Sequence, residues 1–122
     1  MKIGLVSYEF KNGEIEYNIE KIEKAIISAN GKVDLLCFGE TFLQGFDSLS
    51  WNYETDKDVA ITKDSAIMEK LKKLSEKYKI DLGIGYIERE KEKIYSSFVV
   101  IEKGKIIHNY RRITKNWKEY SI

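Results

Sequence analysis

Apolar positions alternate and recur along the chain with periods that name its elements. Ile3, Leu5 and Val6 give a first strand over Lys2 to Glu9, and Lys11-Asn12-Gly13 marks a turn. From Glu14 to Ala29 the apolar residues Ile15, Ile19, Ile22, Ile26 and Ala29 form one stripe, with Glu and Lys opposite. That spacing predicts an amphipathic helix, closed by Asn30-Gly31. Val33 to Phe38 is a short apolar run between turn signals and reads as a buried strand. Strand, helix and strand with a short return loop predict a parallel pair. A second stripe, Ile67, Leu71, Leu74 and Tyr78, predicts a helix over Ser65 to Tyr78 that Asp64 would cap. Three further strands follow, at Ile80 to Ile87, Ile94 to Glu102 and Lys105 to Tyr110. The first two of these join through the charged run 88–93, and the last two through the hairpin signal Lys103-Gly104.

Between the second strand and the second helix, Thr41 to Lys63 has no clean period but carries Phe42, Phe46, Trp51 and Tyr53. A loop of that length and aromatic content is expected to be ordered and functional. The strand before it delivers one carboxylate, Glu40, between Gly39 and Gly45. Strand ends of this kind are where α/β proteins place chemistry, and partial burial would suit the carboxyl to act as a general base. The plainer reading is a solvated acid or a turn cap.

Composition narrows the field. The chain has 122 residues, enough for one domain, and a formal net charge of +1. That balance argues against a nucleic-acid partner and favours a solvated strand end for the basic residues Arg111, Arg112, Lys115 and Lys118. Apolar runs are strand-sized, so no membrane span is expected. A single cysteine cannot form an internal disulfide, which fits a reducing cytoplasm. Cys37 lies among Leu36 and Phe38 and is expected to be a core residue rather than a nucleophile. His108 stands without a cluster of ligating residues, so no metal and no cofactor is implied. Gly83-Ile84-Gly85 falls within a strand pattern with no helix after it, so it reads as close backbone packing rather than a phosphate loop.

Taken in order, several segments resemble the N-terminal half of the nitrilase, or carbon-nitrogen hydrolase, superfamily. They are Lys2-Ile-Gly-Leu-Val6, Asn18, Ala29 to Leu35 running into Phe38-Gly-Glu40, and Thr41-Phe-Leu-Gln-Gly-Phe46. Further on come Leu82-Gly-Ile-Gly85, Tyr95 to Ile101 and Gly104 to Arg112. The resemblance implies an α/β fold: half of an αββα sandwich, with one mixed sheet of about five strands and two helices on one face. It also implies hydrolysis of non-peptide C–N bonds in small amides or nitriles through a Glu, Lys and Cys triad. Glu40 matches the acid. Arg112 stands where the lysine is expected after a Tyr-Arg pair, and a Tyr-Arg-Arg variant of the pattern points to Lys118 after Trp117, with Lys115 second. The nucleophilic cysteine would follow a later strand, beyond Ile122. The expectation is therefore a truncated, cytoplasmic carbon-nitrogen hydrolase domain over 1–122, inactive alone, with a bare sheet face that draws a second copy or a complementing chain. The alternative is a small α/β binding or assembly module without catalysis.

Overall fold

Ser65, not Asp64, starts the second long helix: its hydroxyl accepts the Met68 N–H at 3.2 Å. Its backbone is extended, as an N-cap requires, which leaves Asp64 outside the helix. The structure, a computed structural model, describes residues 1–6, 11–39, 42–45 and 52–111. The elements are β1 (Ile3–Val6), α1 (Ile15–Ala29), β2 (Leu35–Phe38), α2 (Tyr53–Asp56), α3 (Ala66–Tyr78), β3 (Asp81–Glu90), β4 (Lys93–Glu102) and β5 (Lys105–Arg111). The one-turn α2 falls in the stretch read as an irregular loop and adds a third helix to the two expected.

The five strands form one sheet in sequence order, β1-β2-β3-β4-β5. β1, β2 and β3 are parallel, whereas β3–β4 and β4–β5 are antiparallel. Four strands therefore run one way and β4 runs against them. The C-terminal ends of β2 and β5 consequently lie at the same end of the sheet.

Alternation divides the sheet into two faces. Leu36, Phe38, Leu82, Ile84, Val99 and Ile101 share one face and form the core with Ile22 and Ile26 of α1 and Met68 and Leu71 of α3. This is an α/β half-sandwich with both long helices on one side. The opposite face carries Leu5, Cys37, Phe98 and Tyr110. Leu5 is 84% exposed and Tyr110 57%. A register shift between Val100 and Ile101 leaves Ile107 as an extra residue in β5, so His108 returns to the open face, exposed and stacked on Tyr110 at 5.3 Å.

Two expectations from the sequence need correcting. The charged run 88–93 is not a connector from end to end. β3 and β4 stay paired to Glu90 and Lys93, leaving a two-residue turn with Lys91 at φ 55°. Cys37 is not in the core. It lies one position out of phase with Leu36 and Phe38, half-buried on the open face. The close packing at Gly83 is real, because a Cβ there would lie 2.8 Å from the Phe98 ring and 3.2 Å from Cys37 Sγ.

Candidate active site

The loop after β2 is anchored on both sides of Glu40. Gly39 follows the buried Phe38, and the Phe42 N–H donates to the Gly39 carbonyl at 3.2 Å. The Phe38 and Phe42 rings pack with centroids 5.1 Å apart. Residues 42–45 then run beside β3. The Leu43 N–H donates to the Gly85 carbonyl at 3.1 Å. Gln44 continues that pairing with its side chain. Oε1 accepts the Ile87 N–H at 2.8 Å, and Nε2 donates to the Ile87 carbonyl at 2.8 Å and the Val59 carbonyl at 3.2 Å. From α1, buried Asn18 donates Nδ2 to the Leu43 carbonyl at 2.9 Å and to the Lys11 carbonyl at 2.8 Å, and its Oδ1 accepts the Lys11 N–H. Two amide side chains thus do for this loop what a strand partner would do, since buried backbone groups must be paired.

At the other side of the sheet, a polar network fixes the end of β5. Glu88 is 1% exposed and accepts from Ser97 Oγ at 2.7 Å, Asn109 Nδ2 at 3.0 Å and Arg111 Nε at 3.0 Å. Arg111 also reaches Glu90 and lies 4.6 Å from the centre of the Tyr95 ring. Tyr86 donates its hydroxyl to Asn109 Oδ1 at 2.7 Å. Burial pushes the Glu88 carboxyl up, but hydrogen bonds from Arg111, Ser97 and Asn109 outweigh it and hold the group below the usual carboxylate range. Burial also pushes the Tyr86 phenol up, which keeps it a donor.

Between these anchored ends, on the open face, lies a cleft of about 480 Å³. Gly39, the last described residue before Glu40, and Arg111, the last before the basic tail, both line it. Leu5, Cys37, Phe98 and Tyr110 give it an apolar wall, and burial pushes the Cys37 thiol above its ordinary range. β2 and β5 are three strand spacings apart, roughly 14 Å. Glu40, Lys115 and Lys118 themselves lie outside the described residues. Among the described residues no group of His, Cys, Asp and Glu could hold a metal ion, and no helix is long and apolar enough to cross a membrane.

Reading the sequence overlooked Glu88, Asn18 and Gln44 as positioning residues. The signals were present. Glu88 is in phase with Leu82, Ile84 and Tyr86, so alternation turns it inward. Asn18 sits within the apolar stripe of α1, where only a buried amide makes sense.

Comparison with known proteins agrees with this architecture. A sequence profile described as carbon-nitrogen hydrolase matches residues 2–120. An (R)-stereoselective amidase from a Pseudomonas species is 28% identical over 112 residues, covering 92% of this chain and 39% of that protein. The crystal structure of an N-terminal amidase with a Gln-Gly peptide matches with a TM-score of 0.75 at 25% identity, over 91% of this chain and 27% of that one. A CN-hydrolase superfamily protein from Xanthomonas campestris, with an arsenic adduct in its active site, matches with a TM-score of 0.76 over 91% of this chain and 40% of that one. Its 16% identity makes that a likeness of fold. The chain spans about two fifths of the curated amidase.

Proposed function

The chain belongs to the carbon-nitrogen hydrolase family, and from that premise we propose that it supplies the acid and the cation of an amide-hydrolysing site. In this reading Glu40 is the general base, and Lys118, or else Lys115, is the ammonium that steadies negative charge developing on the substrate oxygen. The substrate is a small amide or nitrile. With an amide, a thiolate attacks the carbonyl carbon, the tetrahedral oxyanion collapses, and the amine leaves with the proton that Glu40 took from the thiol. Glu40 then deprotonates water, which cleaves the thioester to the carboxylic acid and restores the thiol.

The thiol comes from a segment or a chain beyond this sequence. Cys37 is the one cysteine among the 122 residues, and burial raises its pKa, which is the opposite of activation. The polypeptide alone is therefore inactive as an amidase. Its open sheet face, with Leu5 and Tyr110 exposed and Phe98 half-buried, is closed in the working assembly by a second copy or by a complementing chain. We place that assembly in the cytoplasm.

The observation that carries this reading is that Gly39 and Arg111 line one cleft at one end of the sheet. The test is amide turnover by the purified chain against a panel of small amides. The reading expects none above buffer. Robust hydrolysis abolished by Glu40→Gln but untouched by Cys37→Ala, in a preparation of this chain alone, would contradict the need for an outside nucleophile.

A further inference from the structure

Adjacent serines on β4 face opposite sides of the sheet and have opposite fates. Ser97 turns toward the helices and donates to Glu88 at 2.7 Å. Ser96 turns toward the open face, where it lines the cleft beside Gly39 and Phe98. It is only 3% exposed, yet its hydroxyl makes no hydrogen bond to any described residue. A buried hydroxyl left without a partner costs free energy, and native structures rarely keep one without a use for it.

We propose that the Ser96 hydroxyl is the polar anchor of the cleft and binds the amide group of a small, uncharged ligand with a short branched apolar substituent. The proposal rests on the amide-hydrolase reading and adds the group that holds the substrate. A serine hydroxyl both donates and accepts, so it can meet an amide carbonyl or an amide N–H. The described surroundings of Ser96 offer a charged ligand no free counter-charge. Among the described residues the lining includes no carboxylate, and its one cation, Arg111, is already engaged by Glu88 and Glu90. The apolar wall of Leu5, Phe98 and Tyr110 and the volume of about 480 Å³ suit a compact hydrocarbon group.

The experiment titrates isovaleramide and isovalerate into the 122-residue chain and into its Ser96→Ala variant, by ligand-observed NMR, and records thermal unfolding of both proteins and of Ser97→Ala. Wild type binds the amide and not the carboxylate. Ser96→Ala weakens amide binding about tenfold, the scale of one hydrogen bond, and its melting temperature is unchanged or higher, because an unpaired hydroxyl has gone. Ser97→Ala melts lower, since it strips a donor from Glu88. No amide binding by wild type, equal binding by Ser96→Ala, equal binding of isovalerate, or a lower melting temperature for Ser96→Ala would each overturn the anchor. Hydrolysis by the chain alone, with Ser96-dependent binding intact, would strike only the outside-nucleophile reading.

Discussion

Glu88 and Arg111 meet across a strand that belongs to neither of them. Arg111 on β5 donates Nε to Glu88 Oε1 at 3.0 Å and Nη2 to Oε2 at 3.2 Å, passing over the small Ser97 of β4. The pair ties the end of β3 to the last described residue before the basic tail. Removing Arg111 leaves the buried Glu88 without its counter-charge, and removing Glu88 leaves Arg111 only the exposed Glu90. Glu88→Ala and Arg111→Met should each lower unfolding free energy by about 3 kcal/mol, the lower end for a broken buried pair, because Arg111 remains 31% exposed. Urea titration checks this. A loss under about 0.5 kcal/mol would mean that the pair behaves as a surface ion pair.

The same carboxylate sets an acid limit. Its folded-state pKa is depressed, so the stability it contributes is present above the unfolded glutamate value of about 4.3 and is lost as pH falls through the folded value. Melting temperature should therefore drop on acidification below the ordinary glutamate range, and Glu88→Gln should flatten that limb. An acid limb of equal steepness in the variant would assign the effect to other groups.

Gln44 should matter as much as a core residue. Gln44→Leu keeps the volume but strands the Ile87 N–H, while the Ile87 carbonyl keeps the Ile61 N–H at 3.0 Å. One unpaired buried donor costs about 1–3 kcal/mol. Hydrogen exchange at the Ile87 amide should accelerate in the variant. An unchanged exchange rate would show that the side chain is not a substitute strand.

The open face should draw a partner. At roughly 25 cal/mol per Å² of apolar surface, covering the exposed Leu5 and Tyr110 favours association. Light scattering across a concentration series should show a mass rising above the monomer, and Leu5→Lys should suppress the rise. A concentration-independent monomer of normal stability would contradict this.

Much of the fold was legible because periodicity reports burial. The stripes of α1 and α3, the parallel β1–β2 pair and the Lys103-Gly104 hairpin all follow from spacing and turn chemistry, and Lys103 and Gly104 do take positive φ, 52° and 75°. What spacing could not supply was long-range pairing of polar groups. Glu88 falls in a run of charged neighbours, and the residues that make it a core group, Ser97, Asn109 and Arg111, lie on other strands. Cys37 was assigned to the core by its neighbours, although alternation puts it on the other face. For the site, the sequence pointed to Glu40 by its motif. The structure adds the cleft beside Gly39 and Arg111.

The central claim is that Glu40 and a lysine of the basic tail share the end of that cleft, and zero-length carbodiimide coupling of the purified chain tests it most directly. The account predicts an intramolecular crosslink between the Glu40 peptide and the peptide carrying Lys118, or Lys115, lost in Glu40→Gln. Coupling of Glu40 only to lysines elsewhere, with the 112–122 segment crosslinked to other acids, would contradict it.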